Sequence, residues 1–196
     1  MIRTAVFLVL ATVVLAEDLA TVKITGSDNK VSGLVTFKKS GKGIEIEGQI
    51  EGLIQGKHGF HIHQLGDLSN GCASTKGHFN PHKKPHGAPD SNIRHVGDLG
   101  NIVADENGVA KISMFDNVIS LDGDNNIIGR AVVVHSGEDD LGQGEGNDTL
   151  TTGNAGGRVG CGVIGRATEG SSVLIQPLMP AILISFIVAM VTSTVL

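Results

Sequence analysis

The sequence is poor in aromatic residues, with six phenylalanines and neither tryptophan nor tyrosine, and its lysines and arginines gather into no basic cluster. Nucleic-acid binding calls for a basic face and commonly for stacking aromatics, so the chain offers no case for it. The net charge of −5 excludes nothing by itself. A convincing helical stripe is also missing, which leaves the interior of the chain to β-structure. Cysteine is scarce, with only Cys72 and Cys161, and charge is absent altogether from Gly170 to Leu196.

The two ends set the boundaries of the domain. Met1-Ile2-Arg3 supplies a positive residue, Thr4 to Leu15 an apolar run without alternation, and Val14-Leu15-Ala16 a small-residue cleavage site. Residues 1–16 therefore read as a secretory signal peptide, with the mature chain beginning at Glu17. Residues 169–196 read as a hydrophobic C-terminal tail. Gly170, Ser171 and Ser172 suit the attachment site of a glycolipid anchor signal. The spacer Val173-Leu174-Ile175 is more apolar than such signals prefer, and Pro177 and Pro180 interrupt it, so a membrane-spanning tail stays open. Either route leads outside the cell, at the extracellular face of the plasma membrane, and leaves one domain at 17–168.

In an oxidising compartment the two cysteines most simply form one disulfide, free thiols being the alternative. Closing a loop that long is worth roughly 4 kcal/mol in the chain-entropy description. Asn147-Asp148-Thr149 is a glycosylation sequon.

Short alternating segments separated by glycine, asparagine and aspartate predict an all-β fold. Alternation is plain in Ala20–Ile24, Val31–Phe37, Ile44–Glu47 and Val109–Ile112, and further strands fit His58–His63, Gly100–Ala104, Arg130–His135 and Arg158–Gly165. About eight strands suit a barrel or sandwich. Gln64–Gly97 and Ser136–Gly157 resist strand assignment, and loops of that length in a compact domain are usually functional.

The histidines carry the chemistry. His61 and His63 share a strand face because side chains alternate, so two imidazoles can converge on one ion. His78, His86, His95 and Asp98 crowd into one loop, and three or four such donors suit tetrahedral zinc, while copper favours imidazole-rich sites. His58 reads as structural and His82 as surface, as do the scattered lysines Lys38, Lys39 and Lys42.

At this level the chain resembles the copper/zinc superoxide dismutases. The resemblance rests on Gly59-Phe60-His61-Ile62-His63, Gly77-His78-Phe79-Asn80-Pro81, His86-Gly87, Arg94 to Asn101, Gly129 to His135, Asp139-Asp140-Leu141-Gly142 and Gly153 to Gly165, in that order, and covers roughly Leu19 to Arg166. It implies an eight-stranded Greek-key β-barrel, an immunoglobulin-like sandwich with two long functional loops. By the same resemblance His61, His63, His78 and His135 bind copper, while His78, His86, His95 and Asp98 bind zinc. Asp139 links the sites by accepting hydrogen bonds from His61 and His86, Cys72 and Cys161 take the disulfide positions, and Arg158 stands beside the copper to hold an anion.

The implied activity is superoxide dismutation, with copper cycling between two oxidation states and zinc keeping His78 placed while that ring takes up a proton. The implied partners are the superoxide anion, a second copy in a homodimer and copper-loading machinery, and the apolar tail adds a membrane. One departure stands out: where the family often carries a steering lysine, this chain reads Thr149-Leu150-Thr151-Thr152. Arg158, with Lys76, Lys83 or Lys84, is left to attract the substrate, and weak steering is expected. A copper-delivery module or a surface interaction protein on the same scaffold is the alternative function.

Overall fold

A computed structural model describes residues 18–168, so the signal peptide expected over 1–16 and the hydrophobic tail expected over 169–196 lie outside the described residues. All eight expected strands are present: β1 Leu19–Thr25, β2 Ser32–Ser40, β3 Gly43–Glu51, β4 Gly56–His63, β6 Asp98–Ala104, β7 Ala110–Asp116, β8 Ala131–His135 and β9 Arg158–Val163. They lie antiparallel in the order β1-β2-β3-β7-β6-β4-β8-β9, and a pairing of Thr25 with Cys161 closes β1 onto β9. A two-residue strand, β10 Gly165–Arg166, continues β9 and also pairs with β1. Because β4 lies between β6 and β8 rather than beside β3, the connections cross the barrel end in Greek-key fashion.

The alternation that predicts the strands also fills the barrel. Val22, Ile24, Val35, Phe37, Ile46, Ile50, Phe60, Ile62, Val132 and Val134 point inward and are almost wholly inaccessible. Each such side chain contributes roughly 1.5–3 kcal/mol relative to an exposed position. In the C-terminal part of β4 and in β8 the outward residues are buried as well. On β4 those are His61 and His63; on β8 they are Ala131, Val133 and His135, with Ala131 and Val133 packed beneath Cys161 and Cys72. A strand buried on both faces of a barrel needs a roof, and the two long loops supply it.

Those loops are not entirely free of regular structure. The first holds a short strand, β5 Ser69–Cys72, and a 3-10 turn at Ala73–Thr75; the second holds a single helical turn, α1 Thr149–Thr152. None of these has the periodicity that would mark it in sequence, since Ser69-Asn70-Gly71-Cys72 is polar throughout and α1 is four residues long.

Two ties fix the first loop to the barrel. The disulfide between Cys72 and Cys161 fastens its start to β9. Near its end, buried Arg94 donates to Asp116 Oδ2 at 2.7 Å and to the carbonyls of Pro89, His95 and Val96. Removing the carboxylate of such a pair leaves a buried guanidinium uncompensated and costs about 3–5 kcal/mol. Among the described residues no helix is long and apolar enough to cross a membrane.

Candidate metal centre

The outward histidines of β4 meet the two loops on the barrel's outer surface. His61 and His63 come from β4, His135 from the end of β8, His78, His86 and His95 from the first loop, and Asp98 from the start of β6. All seven are buried. Their donor atoms form two sets, His61, His63, His78 and His135 in one and His78, His86, His95 and Asp98 in the other, with the atoms of each set within 4.8 Å of one another.

Which nitrogen each ring presents follows from what holds its other nitrogen. His61 Nε2 donates to Asp139 Oδ2 at 2.8 Å, His63 Nδ1 to the Lys76 carbonyl at 2.8 Å, and His135 Nδ1 to the Gly156 carbonyl at 3.1 Å. A neutral imidazole carries one proton, so the second nitrogen of each ring presents a lone pair. His63 Nε2 and His135 Nε2 then face each other at 3.3 Å, acceptor against acceptor. In the other set, Asp98 Oδ1 faces Nδ1 of His78, His86 and His95 at 2.8, 3.0 and 3.1 Å, and Nδ1 of His95 lies 3.3 Å from that of His78.

Among the described residues, buried His61 Nδ1 and His78 Nε2 have no partner at all, and buried His86 Nδ1 has only the close approach of Asp98 Oδ1. An unsatisfied buried polar atom costs about 1–3 kcal/mol, and here the orphaned lone pairs converge with facing acceptors. A cation at each set satisfies them, so the donors fit two metal ions, one imidazole-only and one with three imidazoles and a carboxylate.

Burial drives the protonation states the same way. His61 is pushed down to about 3 and His135 to about 4, chiefly by burial, with the neighbouring His78 adding to it. Burial likewise lowers His63 and His78. These four rings are neutral at neutral pH, as ligands must be. His86 behaves otherwise: burial lowers it, but hydrogen bonds to Asp139 and Asp98 and their charges outweigh that and raise it to about 9. Burial raises Asp98 and Asp139, yet the histidines bonded to them hold both well below the usual carboxylate range.

Asp139 connects the two sets. Oδ2 accepts from His61 and Oδ1 from His86 Nε2, both at 2.8 Å, which orients one ring of each set from a single carboxylate. Its backbone is clamped by Asn101, whose Nδ2 donates to the Asp139 carbonyl while the Asp139 N–H donates to Asn101 Oδ1. Gly153 closes over this link with φ +65°, and a Cβ there would collide with Asp139 Oδ1 and His86 Nε2, so only glycine seals it. The Leu150 carbonyl of α1 accepts from the His86 N–H at 2.9 Å, joining one loop to the other.

A cavity of about 390 Å³ opens beside the imidazole-only set, lined by His63, His78, His135, Asp148, Thr152 and Arg158 among others. Arg158 donates from Nη1 to the Cys72 carbonyl at 2.5 Å and from Nη2 to the Lys76 carbonyl at 2.6 Å, which fixes it at the cavity wall. The structure therefore brings together every metal-ligand candidate expected from sequence, with Asp139 and Arg158. His58 sits apart, caught between the carbonyls of His135 and Ile54, and exposed His82 donates to Asn125 Oδ1. Sequence reasoning missed the supporting roles of Asn101, Arg94 and the Lys76 carbonyl. Backbone acceptors leave no trace in a sequence, although Asn101, polar in a strand otherwise alternating with apolar residues, could have been noticed.

An all-β barrel with two abutting donor sets that share one histidine fits a protein that holds two metal ions, the class the resemblance to the dismutases implies. Residues 31–164 match the copper/zinc superoxide dismutase (SODC) family, and the chain belongs to it. It is 55% identical over 142 residues to the Cu-Zn extracellular superoxide dismutase of Drosophila melanogaster, spanning 71% of this chain and 78% of that protein. It is 54% identical over 143 residues to a Cu-Zn superoxide dismutase of Paramecium bursaria Chlorella virus 1, spanning 72% and 76%. Among solved structures, the crystal structure of the clock protein EA4 superposes with a TM-score of 0.74 at 45% identity, covering 81% of this chain and all of that one.

Replacing Asp139 by Asn removes one acceptor of the pair that orients His61 and His86. Zinc affinity, measured by competition with a chromophoric chelator, is expected to fall by about 10–100-fold with the fold intact by circular dichroism. Unchanged affinity would remove Asp139 from the metal-orienting role.

Proposed function

We propose that this chain dismutates superoxide outside the cell, two anions and two protons giving dioxygen and hydrogen peroxide. His61, His63, His78 and His135 hold copper; His78, His86, His95 and Asp98 hold zinc. The observation that carries the assignment is the single ring of His78, which turns Nε2 to one set and Nδ1 to the other. Copper, when bound, supplies the one-electron exchange in both directions that the reaction requires, which zinc cannot.

The chain's own groups do the rest. Arg158 presents a fixed cation at the cavity wall, where a small anion can be held against the metal site. His78 Nε2, on the same wall and without a hydrogen bond, is the atom at which a proton can be taken up and passed on. The opposite nitrogen, Nδ1, stands 2.8 Å from Asp98 Oδ1 in the second donor set, where a cation held by both would keep the ring in place while Nε2 works. Asp139 orients His61 and His86.

The location outside the cell agrees with the extracellular relative in Drosophila melanogaster and with the disulfide. We assign residues 1–16 to a removed signal peptide, 17–168 to the dismutase domain and 169–196 to a glycolipid anchor signal, with a spanning tail as the other route to the membrane. Asn147, exposed on the second loop, is the glycan acceptor. The hydroxyl of Thr149 is buried and donates to Asp140 Oδ2 at 2.7 Å, so attachment precedes closure of this loop. Exposed Leu65, Leu68 and Val163 offer the apolar face for a homodimer, and copper-loading machinery is a further partner.

Two measurements test the proposal. The copper- and zinc-loaded full chain is expected to consume superoxide, and His61→Ala to lose that activity to the level of metal-free protein; full activity in the variant contradicts the assignment. Cells displaying the protein are expected to release it on treatment with a phospholipase that cuts glycolipid anchors. Complete retention on the membrane assigns a spanning tail instead.

A further inference from the structure

We infer that Lys76 is a specificity-determining residue for the anionic substrate, a cation kept at the cavity rim at the expense of a strained backbone. The inference rests on the superoxide reading and begins with a backbone outlier. Lys76 adopts φ 65° and ψ −150°, a region that side chains other than glycine's scarcely visit. Such strain persists only where the surroundings over-determine it, and clusters at functional sites.

The surroundings here are explicit. The Lys76 carbonyl accepts from two groups of the site, His63 Nδ1 at 2.8 Å and Arg158 Nη2 at 2.6 Å. On one side the Leu65 N–H donates to the Thr75 carbonyl at 3.1 Å, and on the other the Gln64 N–H donates to the Gly77 carbonyl at 2.8 Å. Thr75 is fully buried, with its hydroxyl bonded to the Cys72 carbonyl. The peptide at position 76 is thus pinned in a shape for which glycine is the unstrained choice, and Gly77 stands next to it in the chain. Holding His63 and Arg158 explains the backbone shape but not the side chain, because a glycine carbonyl would serve them equally.

The side chain has an electrostatic use. Apart from the histidines, the charged residues on the cavity wall are Asp148 and Arg158, one of each sign, and Arg158 is already bonded to carbonyl oxygens. The wall alone therefore supplies little net attraction for an anion. Lys76 is exposed, is next to cavity-lining Gly77, and has its Cα fixed by the bonds to His63 and Arg158. The reach of a lysine side chain is shorter than the Debye length of about 8 Å at physiological salt, so a charge carried there is only partly screened from the neighbouring cavity. Asp67 also feels this charge, though Ser69 accounts for most of the lowering of that carboxyl. The other candidate lysines are placed elsewhere: Lys84 Nζ donates to the Asn92 carbonyl, and Lys83 adjoins His82, whose ring reaches toward Asn125.

The test uses the metal-loaded full chain and three variants, with kcat/KM for superoxide measured against ionic strength and Tm by calorimetry. Lys76→Gln keeps the strain and removes the charge. Opposite unit charges about 10 Å apart in water alter local concentration about twofold, so kcat/KM at low salt is expected to fall about twofold with a flatter salt dependence. Lys76→Arg retains both rate and salt dependence. Lys76→Gly loses rate as the Gln variant does, but melts about 2–6 °C above it as the strain is released. Equal rates and salt slopes for wild type and Lys76→Gln would overturn the inference, as would a Gly variant no more stable than the Gln variant. A metal-loaded wild type inactive toward superoxide would instead overturn the function on which the inference rests.

Discussion

Lone pairs pressed against lone pairs in a buried space are the constraint on which the site is built. His63 Nε2 and His135 Nε2 meet at 3.3 Å, and among the described residues His61 Nδ1 and His78 Nε2, also buried, have no partner. Native interiors hold roughly a few such atoms per 100 residues, and here they are gathered in one place. Here the barrel enforces the arrangement, since β4 must turn Phe60 and Ile62 into the core and so can only turn His61 and His63 outward. The stability of the hydrophobic barrel offsets the cost of holding the donors together before any ion arrives.

The loops hold the rest of the donor set. The disulfide and the Arg94–Asp116 pair fasten the first loop to the barrel, and the bond from the His86 N–H to the Leu150 carbonyl fastens one loop to the other. Asp139, clamped by Asn101 and sealed by Gly153, then orients a ring in each ligand set. Rigidity of this kind fixes where a ligand atom stands, and metal selectivity depends on that more than on raw affinity.

Much of this was legible in the sequence because strands and ligands follow simple periodicities. The alternation at His61-Ile62-His63 specifies which face carries the imidazoles, and the apolar partners of the other strands specify the interior. The resemblance to a known family supplied what spacing could not, above all that His78 belongs to both ligand sets. What escaped was of another kind. β5 and α1 are too short and too polar for a period to show, and the acceptors that orient His63 and Arg158 are backbone carbonyls, which no side chain announces. The unusual backbone of Lys76 was equally invisible, because only the fold determines φ at that position.

The central claim is that one imidazole joins two metal ions of different kinds. The most direct measurement is electron paramagnetic resonance of the copper-loaded protein, recorded before and after zinc is added. A copper spectrum that changes with one equivalent of zinc, as the His78 ring acquires a second ion, is the result expected. A spectrum indifferent to zinc, typical of copper open to solvent, would contradict the shared-ring arrangement.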